Sequence, residues 1–255
     1  MGQLPKSKIE QLKREKREAK AAKKRKVATR DKIVRFLIVC EGERTEPNYF
    51  KELVRNKYSE VRSEDIVGEG RSTCALVKRA EDIREKLERQ RQLRFDRVWV
   101  VFDKDDFNEA IALAERKGYK AAWSNEAFEL WYLLHFIYLD AAISRADYIK
   151  KLENEIRRFD GHENFCYKKN DPGIYALLQN IGNEIQAKLR AARLRSMFDN
   201  AHDFKSHKPC TCVDILVEEL DIPKIYWKGC RSPFNTQCYY SLNRTLGLAD
   251  ERKFS

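Results

Sequence analysis

No apolar run in the 255 residues approaches the roughly 20 needed to cross a bilayer. The first residues lack the apolar stretch of a secretory signal. A membrane partner is therefore not expected, and a cytoplasmic setting is. A disulfide framework is also missing, because the seven cysteines are odd in number and irregular in spacing, which suits reduced thiols or a metal site. Basic charge spread over the whole chain is missing too. Of the net charge of +11, residues 1–32 contribute 13 Lys or Arg against 4 Asp or Glu, leaving +2 for the remaining 223 residues. A basic nucleic-acid groove across the body is thereby not implied.

What is present is a chain 42% apolar and 36% charged, long enough to bury a real core. Residues 1–32 read as a basic arm, disordered or helical, with no face to bury. Residues 33–40 are a nearly continuous β-branched and apolar run, the pattern of a strand covered on both faces. Thr45 and Pro47 then signal a helix start, and Tyr49, Phe50, Leu53 and Val54 recur at helical spacing to about Asn56. The pattern repeats with a strand near 64–67, a helix over 73–91, and a strong strand over 95–102. A helix over 107–117, a strand over 119–123 and an apolar helix from a Ser124 or Asn125 cap to about Tyr138 complete the alternation.

Such alternation predicts an α/β fold with a mainly parallel, Rossmann-like sheet and flanking helices over 33–140. A helical region over 141–220 completes the domain, with helices at 148–159, 174–200 and 212–220. Residues 221–255 read as an irregular extension. In sheets of this kind the loops at the strand carboxyl ends carry the chemistry.

Both acidic clusters lie at such ends. Glu41 directly follows the first strand, and Gly42 frees the turn, so Glu41 is the carboxylate best placed to meet a metal or act as general base. Asp103 and Asp105 end the 95–102 strand and can both bend toward a cation, whereas Asp106 suits the start of the next helix. Hard oxygen ligands select Mg²⁺ or Mn²⁺. Glu43 and Glu46 are weaker candidates. Loop solvation and helix capping are the plain alternative for either cluster alone.

Taken together, an apolar strand into Glu-Gly, one β/α unit, and an apolar strand into Asp-x-Asp resemble the Toprim domain of primases, topoisomerases and small nucleases. That resemblance implies metal-assisted handling of a phosphodiester bond, with Glu41 as acid or base and Asp103 and Asp105 as ligands. It narrows further. The strings LIVCEGERTEPNYF (37–50), VWVVFDKDDF (98–107), WSNEAFELWYLLHF (123–136), YKK (167–169) and PCTCVDILVEEL (209–220) resemble, in order, the RloB family of abortive-infection and phage-resistance proteins.

The same resemblance raises Glu129 and Asn125 as residues lining the site, against a core reading for the Phe128, Trp131, Leu134 and His135 face. It also raises Tyr167 and Lys168, since a cation near the metal would neutralise charge on a scissile phosphate; a solvated surface lysine is the alternative. Arg71 after Gly68-Glu69-Gly70 is a weak phosphate candidate. His207, Cys210 and Cys212, with Cys230 and Cys238, invite a zinc reading, but C-x-C is poor structural-zinc spacing and thiols are preferred.

The function expected is a divalent-metal nuclease effector of phage defence, cleaving RNA (tRNA among the candidates) or DNA, with a defence-system protein as a further candidate partner. The alternatives are a nucleotide-processing Toprim enzyme and a non-catalytic subunit that binds nucleic acid or a partner protein.

Overall fold

The apolar run that opens the core does become a strand, but from Phe36 onward. The structure is a computed structural model that describes residues 6–25, 34–57, 61–70, 73–103, 108–198 and 203–221. The chain divides into two compact units, Met1–Ile33 and Val34–Ser255. In the first, Lys6–Arg25 forms helix α1, whose described side chains are exposed. The exposed Arg14–Glu18 pair, at 3.1 Å and one turn apart, adds only a few tenths of a kcal/mol, about 0.2–0.5, to such a helix.

In the second unit β1 (Phe36–Cys40), α2 (Thr45–Lys57), β2 (Ile66–Gly68), α3 (Thr73–Arg91), β3 (Arg97–Asp103), α4 (Glu109–Arg116) and β4 (Lys120–Asn125) alternate. Helices α5 (Glu129–Leu134), α6 (Arg145–Ile156), α7 (Ile174–Ile181) and α8 (Glu184–Ser196) follow, then β5 (Cys210–Thr211) and α9 (Val213–Asp221). The sheet order is β2-β1-β3-β4-β5. The first four strands are parallel and β5 runs antiparallel to β4. The α/β architecture with a mainly parallel sheet is thus as the sequence implies.

Alternate strand residues face opposite layers. Phe36, Ile38, Cys40, Trp99 and Val101 pack with α2 and α5–α9, while Leu37, Val39, Val98, Val100 and Phe102 pack with α3 and α4. Every residue of β1 is buried, which is why that strand reads as an unbroken apolar run. The chain steps outward from β1 to β2 over one face, then returns across the other face to β3. The carboxyl ends of β1 and β3 therefore flank a topological switch point, where open α/β sheets bind ligands.

Two expectations need correcting. Ser124 and Asn125 do not cap a helix; they end β4, because Ser124 Oγ is hydrogen-bonded to Thr211 Oγ1 at 2.8 Å and Asn125 Nδ2 donates to His207 O at 2.8 Å. The apolar helix is correspondingly short, Glu129–Leu134. Residues 174–200 are not one helix. The break falls at Gly182 and Asn183, where Asn183 Oδ1 accepts from Gln186 N at 2.9 Å and Asn183 N donates to His135 O at 3.0 Å. A Cβ at Gly182 would meet Leu178 O at 2.6 Å, so glycine allows the close turn that sets α7 and α8 against α5. The C-x-C segment enters the two-residue strand β5, and Cys210 and Cys212 are reduced thiols buried in the apolar layer beneath α3 and α4. Of the stretch 221–255 expected to be irregular, Asp221 ends α9; the remainder, with Cys230 and Cys238, lies outside the described residues.

Two buried carboxylates fix the last elements. Arg195 on α8 meets Asp214 on α9 through both nitrogens, at 2.5 and 2.7 Å, and Arg195 also donates to Thr211 O at 2.7 Å. Glu219 accepts from Arg97 at 2.9 Å, Trp99 Nε1 at 3.1 Å and Lys120 at 2.7 Å. These pairs hold α9 against the sheet. Among the described residues no helix is long and apolar enough to cross a membrane.

Candidate active site

The turn after β1 holds Glu41 by its backbone on two sides. Its N–H donates to Val101 O at 2.8 Å, and its carbonyl accepts from Gly70 N at 2.8 Å. It is thus fixed between the ends of β3 and β2. From there Glu41 Oε2 accepts the backbone N–H of Asp103 at 3.0 Å. Two carboxylates distant in sequence are brought to adjacent strand ends at the switch point.

Around them the fold gathers two more acids. Glu46, on the first turn of α2, lies buried over the Glu41-Gly42 turn: a Cβ on Gly42 would overlap the Glu46 carboxylate. Glu129 opens α5, buried, and accepts from the hydroxyl of Tyr167 at 3.1 Å. Burial pushes the Asp103 carboxyl well above its usual range, Glu46, Glu129 and Glu41 push it the same way, and the Arg145 guanidinium opposes them. Burial likewise raises Glu46, reinforced by Glu129 and opposed by its own backbone N–H, Lys169 and Arg145. Tyr167 is raised by burial and by Glu129. Four carboxylates therefore share one partly desolvated region.

The balancing cations come from later elements. Arg145, first residue of α6, pairs with Asp103 Oδ2. The 167–170 segment is tied to α2 because Thr45 Oγ1 donates to Lys169 O at 2.6 Å and Asn48 Nδ2 donates to Asn170 O at 3.2 Å. Among the described residues, Asp103 Oδ1 and Glu46 Oε2 are buried with no hydrogen-bond partner.

Of the residues singled out in the sequence, Glu41, Asp103 and Glu129 belong to this region. Asp105, Asp106 and Arg71 lie outside the described residues. The Lys168 side chain is exposed; its neighbours Tyr167 and Lys169 are the ones that act on the carboxylates. Glu46, ranked below Glu41 in the sequence, and Arg145, not singled out there, are part of the centre. The signal for Glu46 was its place on the first turn of α2, four residues after Gly42, from which its carboxylate lies back over the Gly42 turn. Nothing local marks Arg145, because it is brought in by tertiary packing. His135 lies in the core, with Nδ1 3.0 Å from Trp131 O.

A sequence model of the RloB-like protein family matches residues 36–220. The chain belongs to the RloB-like family. No curated protein and no solved structure matches it. The region shared with other RloB-like proteins runs from the first residue of β1 into α9, so all four carboxylates, Arg145 and Tyr167 lie inside it and α1 lies outside.

The donors here suit a hard divalent cation: they are carboxylate oxygens, two of them buried with no hydrogen-bond partner among the described residues, in a region whose burial disfavours uncompensated negative charge. Among the described residues, no three His, Cys, Asp or Glu side chains already stand in ligand geometry, and Asp103 Oδ2 is engaged by Arg145. The chemistry of the donor set fits Mg²⁺ or Mn²⁺, while the arrangement described is one in which Arg145 supplies the balancing charge.

Proposed function

We propose that this RloB-like chain is a divalent-metal-dependent nuclease of Toprim type, acting on RNA or DNA as an effector of phage defence. The observation that carries the chemistry is the meeting of Glu41 and Asp103 at the sheet's switch point, joined by the Glu41 Oε2 to Asp103 N–H bond, beside carboxylate oxygens buried with no hydrogen-bond partner among the described residues. Keeping such groups together costs stability, and active sites are where that cost is tolerated. The defence role rests on family membership.

Glu41 and Asp103 would hold Mg²⁺ or Mn²⁺, with Asp105 as the expected third donor. A bound divalent ion supplies Lewis acidity toward a phosphate oxygen and acidifies an attacking water. The chain's own groups do the rest. Glu41, one oxygen of which is committed to the Asp103 backbone, holds the turn in place and can accept a proton from water with the other. Arg145 is a guanidinium positioned to meet a scissile phosphate once it parts from Asp103, and it stabilises the charge that builds there. Tyr167 keeps Glu129 oriented behind the centre.

The test is cleavage of single- and double-stranded RNA and DNA by the full chain, with and without Mg²⁺ or Mn²⁺. Metal-dependent cleavage is expected, falling about 10²–10⁴-fold in Glu41→Gln, Asp103→Asn and Asp105→Asn. Full activity in all three variants would sink the mechanism. Turnover of nucleoside triphosphates with no cleavage of polymer would move the chain to the nucleotide-processing alternative.

A further inference from the structure

Arg145 stands where its own helix does not favour a cation. It is the first residue of α6, whose start is capped by Ser144 Oγ accepting from Asp147 N, and the positive end of a helix dipole disfavours a guanidinium there. The acid that suits this first turn is Asp147. The Arg145 guanidinium reaches across to Asp103 at the end of β3 instead. Packing fixes the helix, since Tyr148, Leu152 and Ile156 are buried, so a change of partner at Arg145 needs only its side chain to turn.

Exposure divides the pair unequally. The Arg145 side chain is 42% exposed and that of Asp103 16%, so a solute meets the guanidinium first and the carboxylate behind it. The contact is made to Asp103 Oδ2, while Oδ1 is buried with no hydrogen-bond partner among the described residues. A guanidinium cannot shed its charge by losing a proton, so it leaves Asp103 only by moving. Its planar fork matches a phosphate, which it binds through two parallel N–H bonds. The same guanidinium offsets the negative charge around Glu46, so its departure leaves two buried carboxyls in want of a cation.

We infer that Arg145 is a latch on the metal site: it holds Asp103 until a backbone phosphate draws the guanidinium away, so that nucleic acid and divalent metal each promote binding of the other. The latch rests on the nuclease reading and is the regulation of that same site. Without a polyanion the centre is neutralised from within and takes metal weakly; with one, the oxygen that Arg145 gives up becomes a metal donor. By linkage, the factor by which phosphate improves metal binding is the factor by which metal improves phosphate binding.

The experiment measures each ligand alone on the full chain, so that no turnover intervenes. With Mn²⁺ alone, followed by the spin resonance of the unbound ion, Arg145→Gln binds about fivefold or more tightly than the wild type, the lower end of ordinary coupling. Lys169→Gln removes an exposed charge that also acts on Glu46 but leaves the latch in place, and it stays within about twofold of the wild type. With EDTA and labelled single-stranded RNA or DNA, followed by anisotropy, Asp103→Asn binds about fivefold or more tightly than the wild type, because Arg145 is released to phosphate. Added to Arg145→Gln, the same change has no further effect, as a double-mutant cycle reads directly. Equal effects of Arg145→Gln and Lys169→Gln on Mn²⁺, no Mn²⁺ binding by Arg145→Gln at millimolar concentration, or a gain from Asp103→Asn that persists without Arg145 overturns the latch. The two readings part cleanly. Cleavage that needs Mg²⁺ and Asp103, in a chain whose Mn²⁺ affinity ignores Arg145→Gln, removes the latch and keeps the nuclease; the expected couplings in a chain that cleaves no strand do the reverse.

Discussion

Glu46 is the residue at which the site's demands oppose those of the fold. It is 5% exposed, its Oε2 has no hydrogen-bond partner among the described residues, and burial raises its carboxyl above the ordinary range. A group whose folded value lies above its unfolded value favours the fold at low pH, and that contribution is lost as pH rises through the folded value. Glu46→Gln, equal in shape and uncharged, is therefore expected to match the wild type below about pH 4.5 and to exceed it increasingly toward neutrality. A gain of about 1 kcal/mol, or roughly 2–4 °C in Tm, is the scale expected. Thermal unfolding across pH measures it, and a Gln variant less stable at pH 7 would show that the carboxylate is compensated after all. His135 has the opposite sign. Burial lowers it from 6.5 to about 4, so it is neutral in the fold and protonated on unfolding in acid. Its contribution is complete above about pH 6.5 and is lost as pH falls toward 4, up to about 3 kcal/mol. His135→Gln should flatten that acid limb in urea titrations; an unchanged slope between pH 6.5 and 4 would remove His135 as its cause.

At the scale of elements, the strands covered on both faces were legible because their burial leaves an unbroken apolar signature: β1 and β3 lie where 33–40 and 95–102 read as strands, and α3 spans 73–91 as its periodicity implies. The two-residue β5 was not legible. Its evidence is a partner, the β4 end at Ser124 and Asn125, and pairing of that kind has no local pattern. The same partner hid the end of β4, since Ser and Asn before an apolar run look like a helix cap until Thr211 and His207 are known to use their side chains. The candidate site divides along similar lines. Glu41 and Asp103 were readable as the acids that end buried strands, whereas Arg145 depends on where α6 packs. The α8–β5–α9 corner carries its own prediction. Asp214 is 1% exposed and meets Arg195 through two hydrogen bonds, so Asp214→Ala leaves a guanidinium uncompensated in the interior and should cost about 3–5 kcal/mol. Replacing both partners with apolar residues, Arg195→Met with Asp214→Leu, should recover most of the loss, as read by urea midpoints. Equal damage from the single and double changes would mean that the shapes, and not the charges, matter at this corner.

For the whole molecule, the division of charge decides how a polyanion would be met. The 223 residues after 32 carry only +2, whereas Lys6–Arg25 holds ten Lys or Arg and three Asp or Glu on one helix. The centre itself is acidic, so a nucleic acid approaching Glu41 and Asp103 gains little from the body's net charge. Attraction from a distance must then come mainly from α1, which lies outside the family region. Counterion release makes this quantitative, for each phosphate neutralised on a duplex contributes about 0.9 to the fall of log K with log salt. Lys13, Lys16 and Arg17 are exposed on α1. Changing all three to Gln is expected to lower the magnitude of that slope by up to about 2.7, to weaken binding to every sequence alike, and to leave kcat on a saturating substrate unchanged, because the carboxylates proposed to act on the bond lie in the other unit. Anisotropy titrations of a labelled duplex at several salt concentrations give the slope directly. A slope that does not move would place the phosphate contacts on the nearly neutral body, in local cations such as Arg145 and Lys208, and would make α1 dispensable for substrate capture.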